Sequence, residues 1–561
     1  DRDAGVDGGE LLTEAARLVT QELEELLRNE PETSGAVARL AERLDREGSA
    51  WTEENRIDLW TLFFPEGAAL ELQGRETAIT GIRERRRVEI TSVNPTPIAD
   101  PAREIIFTSN VLVTVPEESR DVDSLELSAE LRERVASVMA APQLYYYDHP
   151  IHIGVDPDSN EAIYGLRGMD EAINEEKRRG NVTADTRVTV LLSLSVTHQG
   201  LQTVARDYLA AELAKQPPFE HLEVYLFTEL EAAALVREVV TPFLSRDNGV
   251  EEVFGIDGEY GRHYSFLKAM PALWQVFIDQ GVRGTFKIDL DQVFPQAELV
   301  AESGSSALEH FCTPLWGARG RDTEGREVEL GMIAGALVNE RDIGEGLFTP
   351  DVPIPEEIPP GEAAVFFNKL PMALSTRAEM MARYQQKEAK GGLEALQRVH
   401  VTGGTNGILL DSLRRHRPFT PSFIGRAEDQ AYLLSVLYGE EPSLRYLHKP
   451  GLIMRHDKEA FAGASIAAAE LGRFVGDLAR TLLFTEYSES LPWEFEAIKR
   501  SVDPFTGCFL TRRRYSVVFL RLLLKAAGMV RNGRDPRPLL EIAERKLMPL
   551  LPVGKGGIDV A

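Results

Sequence analysis

Two aspartates, Asp289 and Asp291, follow an apolar run and stand two residues apart within the stretch 284–296. If the run is a strand end, alternation places both carboxylates on the same side. Such an Asp-x-Asp (DxD) pair can hold one Mg²⁺ or Mn²⁺ ion and leave coordination positions open for phosphate oxygens. A pair of solvated loop charges is the alternative interpretation. The elements around the pair decide between the two.

The segment before the aspartates alternates between strand and helix patterns. Residues 188–195 and 222–227 are apolar and rich in β-branched or aromatic residues, which is typical of buried strands. Helical spacing follows over 201–215 and again over 229–243. This order predicts βαβ units and a mostly parallel α/β sheet flanked by helices. Because ligands bind at the carboxyl ends of parallel strands, the aspartates are predicted to lie at a binding edge.

Two further motifs follow the aspartates. Gly403 and Gly404 belong to a glycine-rich stretch in which the backbone can approach a phosphate or a sugar closely. A simple tight turn is the alternative there. Glu428 and Asp429 form an acidic pair, for which a solvated helix N-terminus is the alternative. An apolar strand is predicted over 446–457, with a basic end.

The order of these motifs resembles that of nucleotide-sugar-dependent glycosyltransferases with the GT-A fold, most closely the family 2 type. The similarity covers about residues 185–458 and concerns the pattern of elements and motifs. It implies a GT-A-like (Rossmann-like) sheet and a metal-dependent hexosyltransferase. The donor would be a nucleoside-diphosphate sugar, and the acceptor a hydroxyl group of a small molecule or glycan. Mg²⁺ or Mn²⁺ would neutralise the diphosphate leaving group.

The resemblance also implies roles for individual residues. Metal ligands are expected at Asp289, Asp291 and His456, the last of which follows the final apolar strand. Asp429, with Glu428 beside it, is expected to be the general base that activates the acceptor hydroxyl. Contacts with the donor are expected from Ser195, Glu229, Arg262, Lys268, Asp289, Gly403, Gly404 and Arg455.

Two other functions stay open at this point. One is a non-catalytic nucleotide-sugar-binding or interaction protein on a transferase scaffold, which would bind a donor without turning it over. The other is a sugar nucleotidyltransferase on a related sheet. The second is less favoured because no glycine-rich phosphate loop with a following Arg or Lys comes after the first strand of the predicted sheet. The motifs do not decide between inversion and retention at the anomeric carbon.

Composition limits the classes of partner. The formal net charge of −27 argues against binding to nucleic acid or to anionic membranes, whose phosphates would be repelled. The apolar stretches 459–484 and 515–530 are interrupted by charged residues, so no transmembrane segment is expected. The chain has only two cysteines, Cys312 and Cys508, which suits a reducing compartment. No signal peptide is visible either, so a cytoplasmic protein is predicted. A homo-oligomer is compatible with these observations.

The chain length of 561 residues predicts more than one domain. We expect an accessory helical and mixed α+β domain over 1–180, a catalytic domain over 181–460 and a helical domain over 461–561. A helix is predicted over 375–398 from the spacing of its apolar residues. His149 and His152 have no spacing typical of a metal site, and a structural role is favoured for both.

Overall fold

The chain is described by a computed structural model over residues 9–47, 52–117, 119–144, 150–244, 249–380, 393–399, 404–457 and 469–552. It divides into two compact units. The first unit combines residues 1–83, 352–378 and 470–561, and the second combines 84–351 and 379–469. The boundaries of these units differ from those of the three domains expected from the sequence. The division into three domains stays a prediction.

The described residues form helices and short strands throughout the chain. The helices, in chain order, are α1 (Gly9–Asn29), α2 (Pro31–Glu47), α3 (Glu53–Phe63), α4 (Pro65–Leu72), α5 (Arg75–Arg85), α6 (Pro101–Glu104), α7 (Ala129–Val138), α8 (Glu161–Arg179), α9 (Gln202–Ala214), α10 (Glu229–Leu235), α11 (Val250–Val253), α12 (Tyr260–Phe277), α13 (Gln296–Glu298), α14 (Lys369–Glu379), α15 (Leu410–His416), α16 (Glu428–Leu434), α17 (Glu470–Ser490), α18 (Phe495–Ser501), α19 (Pro504–Gly507), α20 (Arg514–Arg531) and α21 (Arg537–Leu547). The strands are β1 (Arg87–Ser92), β2 (Ile105–Thr114), β3 (Ile151–His152), β4 (Val188–Val196), β5 (Leu222–Phe227), β6 (Gly284–Ile288), β7 (Gln292–Val293), β8 (Arg319–Asp322), β9 (Glu327–Asn339), β10 (Leu393–Arg398), β11 (Thr405–Leu409) and β12 (Ser443–His456).

The first unit is built from helices that bury one apolar face each. On α1, Leu11, Ala15 and Leu18 recur every three or four residues and are buried. They belong to one core with Val475 of α17 and Leu522 of α20. The helices at the start of the chain therefore complete a core whose other half comes from the end of the chain.

The second unit contains a sheet of twelve strands. Along the sheet, the order is β5-β4-β2-β6-β11-β9-β8-β1-β10-β12-β7, and β3 lies beside β2. The strands β5, β4, β2 and β6 are parallel to one another. Strand β11 is antiparallel to both of its neighbours, β6 and β9. The parallel βαβ pattern therefore occupies only one end of the sheet.

The other end of the sheet closes on itself. Strands β9, β8, β1, β10 and β12 pair in succession and antiparallel. Strand β12 then pairs with β9 in the parallel direction, so the five strands form a closed ring. The prediction of a GT-A-like (Rossmann-like), mostly parallel sheet is therefore wrong, because the sheet is rich in antiparallel pairs and partly closed.

The strand β10 shows why the sequence was misleading. Its residues, Leu-Glu-Ala-Leu-Gln-Arg, favour helix, and the predicted helix over 375–398 included them. In the structure, α14 ends at Glu379 and residues 393–398 are paired between β1 and β12. Pairing on both sides overrides local helix propensity, because strand preference depends mainly on cross-strand neighbours.

Strand β6, which precedes the aspartates, is fully buried, and its side chains alternate between the two faces of the sheet. Phe286 and Ile288 of β6 belong to the main core of the second unit. Lys287 lies between them in sequence and therefore points to the opposite face. The chain leaves β6 at Ile288, so Asp289 and Asp291 lie at the carboxyl end of a central strand, as predicted.

Candidate functional site

The Asp289 carboxylate is contacted by Lys287 of β6 and Gln292 of β7, and Gly404 lies close to it. Lys287 Nζ lies 2.5 Å from Asp289 Oδ1, and Gln292 Nε2 donates to Asp289 Oδ2 over 3.4 Å. A Cβ atom at Gly404 would lie 2.6 Å from Asp289 Oδ2 and 2.4 Å from Gln292 Nε2. The backbone at Gly404 thus approaches the carboxylate so closely that a larger residue would displace it.

Asp291 meets the histidine expected from the last strand. Strands β12 and β7 are antiparallel and place His456 opposite Gln292. His456 Nε2 lies 3.1 Å from Asp291 Oδ2. The amide of Asp457 donates to the carbonyl of Asp291 over 3.1 Å, which fixes the backbone of the two segments together. The two residues come from distant parts of the sequence and form one largely buried pair.

The donor set formed by Asp289, Asp291 and His456 suits a hard or borderline divalent cation in its chemistry. Two carboxylates and one imidazole are ligands that Mg²⁺ and Mn²⁺ accept. Among the described residues, no group of three acidic, histidine or cysteine side chains is already gathered for a metal. Asp291 and His456 form the adjacent pair, whereas Asp289 turns to Lys287. Asp291 and His456 would supply two ligands, and a metal held by all three residues stays a prediction.

The second acidic pair lies at the start of α16, after Ala427 in the left-handed conformation with φ of 59°. Asp429 is buried, and its Oδ1 accepts from the Gln430 amide over 2.9 Å. Burial alone would lower the pKa of Lys287, but Asp289, Glu428 and Asp429 together raise it above its usual value. Carboxylates of both acidic motifs therefore favour the charged form of Lys287.

A second buried ammonium lies next to the first. Lys268 of α12 donates to Asn406 Oδ1 over 2.7 Å, and Tyr264 donates to the same oxygen over 2.8 Å. Asn406 pairs with Lys287 across β11 and β6. Burial, together with the charge of Lys287, lowers the pKa of Lys268 to about 7.

The sequence pattern singled out Lys268 but not Lys287, Tyr264 or Asn406. Lys287 is marked by the sequence, because it is a lysine inside an otherwise apolar strand. A charge is buried only where it has a partner, so such a lysine indicates a nearby acidic group. Tyr264 and Asn406 gave no comparable signal. Their roles depend on α12 and β11 lying side by side, which spacing within either segment does not reveal.

Two predicted donor-binding residues, Glu229 and Arg262, form an ion pair with each other. Arg262 Nη2 lies 2.5 Å from Glu229 Oε1, and its Nη1 lies 2.8 Å from Glu229 Oε2. Glu229 Oε2 also accepts from the amides of Ile256 and Asp257 over 2.7 and 2.8 Å. This fork-like pair fixes the loop before α12 to the end of β5. Donor binding by either residue stays a prediction.

The remaining predicted donor residues lie in different surroundings. Ser195 is buried within β4, and its hydroxyl donates to the Val111 carbonyl over 3.3 Å. Arg455 Nε lies 2.5 Å from Glu340 Oε2. Gly403 and His149 lie outside the described residues.

Asp257 is a further candidate that the sequence pattern did not single out. Gln202 Nε2 donates to Asp257 Oδ2 over 2.6 Å at the carboxyl end of β4. Burial raises the pKa of Asp257 to about 6, and the nearby charge of Glu229 contributes to that rise. A perturbed carboxylate at the binding end of parallel strands is a candidate for ligand contact.

No protein-family model matches the chain, and no curated protein matches it either. Within the part of the chain that the structure describes, no helix combines the length and apolar character needed to cross a membrane. The function is therefore argued from the residues of the site.

Proposed function

We propose that this protein is a glycosyltransferase that moves a sugar from a nucleoside-diphosphate sugar to a hydroxyl acceptor with the help of a divalent metal. The observation that supports it best is the 3.1 Å contact between His456 Nε2 and Asp291 Oδ2, and the charges of Glu428 and Asp429 also contribute to the raised pKa of Lys287. Transfer to a hydroxyl needs positive charge near the leaving diphosphate and a base near the acceptor. This arrangement provides groups for both tasks.

The chain's own residues divide these tasks between them. Asp291 and His456, with Asp289 beside them, would hold Mg²⁺ or Mn²⁺, which would supply positive charge for the diphosphate. Asp429 would accept the proton of the acceptor hydroxyl as the new bond forms. The ammonium of Lys287 would hold the Asp289 carboxylate in place through their 2.5 Å contact. Gly404 leaves room for Asp289 to keep that position.

Titration calorimetry with a panel of UDP- and GDP-sugars, each with Mn²⁺ and with EDTA, tests this proposal. We expect at least one donor to bind with Mn²⁺ and to lose its affinity in EDTA. The Asp291→Asn variant should lose it as well. Asp411→Asn is the matched control because the Asp411 side chain is 86% exposed on α15. Equal affinity in EDTA and in Asp291→Asn would contradict the metal assignment.

Turnover separates the transferase from a binding protein. Release of UDP or GDP from the bound donor, followed over time with candidate hydroxyl acceptors, should show catalysis that depends on Asp429. Metal-dependent binding with no release for any acceptor, even over long incubation, would favour the non-catalytic alternative. We also propose a reducing compartment such as the cytoplasm, since Cys312 and Cys508 are both free thiols.

A further inference from the structure

A cavity of about 570 Å³ lies between α8 and the segment 293–298. Its lining includes Tyr164, Glu171 and Glu175 from one face of α8, at helical spacing. Phe294 and Arg455 line the other side. A cavity of this size is within the range of small-molecule sites in proteins. None of the proposed catalytic groups is among its lining residues.

The cavity lies behind the pair formed by Asp291 and His456, on the other side of strands β7 and β12. Arg455 and His456 are neighbours on β12, so their side chains point to opposite faces. His456 faces Asp291, whereas Arg455 donates to the Tyr164 hydroxyl over 3.4 Å at the cavity. A ligand in this cavity is therefore separated from Asp291 by one pair of strands.

The wall formed by α8 is closely fitted to the segment that follows the aspartates. A Cβ atom at Gly168 would lie 2.3 Å from Val293 Cγ1, and one at Gly165 would lie 2.5 Å from the Leu290 carbonyl oxygen. Glycine at these two positions lets the helix touch the segment directly. The cavity is therefore bounded by a fixed helix and not by a loose loop.

The acidic residues of the lining outnumber its arginines, and the guanidinium groups already have acceptors. Three arginines face four acidic residues, namely Arg167, Arg178 and Arg455 against Asp158, Glu171, Glu175 and Glu298. Arg178 lies 2.6 Å from Glu175, and Arg455 lies 2.5 Å from Glu340. Arg167 is bonded to the Gln216 side chain. Such a lining does not favour an anion, because each guanidinium already has an acceptor and the carboxylates outnumber the guanidinium groups.

The lining also combines an apolar wall with planar polar groups. Ile163, Val293, Phe294 and Pro295 supply the apolar surface, and the carboxylates of Asp158, Glu171 and Glu298 supply hydrogen-bond acceptors. A pyranose ring has both matching surfaces, since its C–H faces are apolar and its neighbouring hydroxyls donate and accept. We infer that this cavity binds an uncharged saccharide of about two rings.

This inference does not depend on the proposed transfer reaction. Saturation-transfer NMR on the full chain, with maltose, cellobiose, lactose, sucrose and trehalose as probes, tests it. Inorganic phosphate and spermidine serve as charged comparators. We expect at least one disaccharide to bind, and the double variant Glu171→Ala with Glu175→Ala to weaken it by about tenfold or more. Asn174→Ala is the matched control because Asn174 is exposed on α8 outside the cavity.

The outcomes are distinct. Binding that is lost in the double variant but kept in Asn174→Ala and in Asp291→Asn supports the inference. Binding that Asp291→Asn removes would place the saccharide at the proposed transfer site and overturn it. No signal from any disaccharide, an unchanged signal in the double variant, or binding of only phosphate or spermidine would overturn it too. Circular dichroism on each variant confirms that the helix remains folded.

Discussion

His456 Nε2 lies 3.1 Å from Asp291 Oδ2, although strands β8 to β11 lie between the two residues in sequence. The contact exists because β12 ends beside β7, the short strand that follows the aspartates. An imidazole beside a carboxylate at a strand end is a pair from which a metal site can be assembled. This pair gives the proposed metal role its most direct structural support.

Replacing His456 with alanine is expected to weaken Mn²⁺ binding by about tenfold or more, because the ion would lose a nitrogen ligand. Titration of free Mn²⁺ followed by electron paramagnetic resonance measures this without a donor. His152→Ala is the control, since His152 Nδ1 lies 2.9 Å from the Val115 carbonyl oxygen and has no predicted metal role. Equal Mn²⁺ affinity in wild type and His456→Ala would remove His456 from the site.

A methyl group at Gly404 should disturb Asp289. The added Cβ would lie 2.6 Å from Asp289 Oδ2, a distance at which one of the two must move. We expect Gly404→Ala to reduce donor affinity with Mn²⁺ by about tenfold or more, a loss of about 1.4 kcal/mol. Gly344→Ala is the control because a Cβ there would meet no atom within 4 Å. Unchanged affinity in calorimetry would show that Asp289 does not contact the donor complex.

The pair formed by Glu229 and Arg262 is expected to act mainly on stability. Their two contacts of 2.5 and 2.8 Å form a partly buried fork. A double-mutant cycle with Glu229→Gln and Arg262→Met should give a coupling of about 0.5–3 kcal/mol in the free energy of unfolding. Urea unfolding of the four proteins measures it. A coupling near zero would leave both side chains available for the donor role that the sequence predicts.

The sequence predicted the local elements around the site better than the sheet that connects them. The strand at 222–227 and the strand before Asp289 are present, because apolar β-branched and aromatic runs favour strands. The burial predicted for 222–227 is wrong, because β5 lies at the end of the sheet and only Leu222 of it is buried. The closed ring was missed in part because β1 and β8 carry charges at alternate positions, as in Arg-Val-Glu-Ile and Arg-Gly-Arg-Asp. The pairing partners in the ring lie far away in sequence, and neither periodicity nor propensity reveals them.

The candidate site was predictable where residue chemistry alone marks a position. Asp291 and His456 are in contact, and the charges of Asp289, Glu428 and Asp429 all raise the pKa of Lys287. The direction in which Arg455 points was not predictable. Its side chain faces the cavity behind β12. To predict that direction, one must know which neighbouring elements cover each face of β12.

The buried ammonium of Lys268 should make stability depend on pH. Burial lowers its pKa in the folded state to about 7 from a usual value of 10.5, so between these values only the unfolded chain keeps the proton. The unfolded state binds more protons there, and the free energy of unfolding therefore rises with pH, by up to about 1.4 kcal/mol per pH unit from this group. Below about pH 7 both states are protonated and the dependence disappears.

Comparing wild type with Lys268→Met measures that contribution. Urea unfolding at pH 7, 8 and 9 should show that wild type gains stability relative to the variant as pH rises. Lys215→Met is the control because the Lys215 side chain is 43% exposed. A constant difference between wild type and Lys268→Met across this range would mean that Lys268 keeps its usual pKa.

Asp429 should be required for turnover but not for donor binding. An acceptor hydroxyl has a pKa far above neutrality, so a carboxylate must take its proton as the bond to the anomeric carbon forms. We expect Asp429→Asn to lower turnover by about a hundredfold or more while donor affinity in calorimetry stays within about twofold. Glu428→Gln is the matched variant, because adjacent side chains at a helix start diverge by about 100° and only one of them can face the acceptor. A base in this role implies inversion at the anomeric carbon. Product NMR that shows the donor's own anomeric configuration would rule the role out, even if Asp429→Asn were inactive.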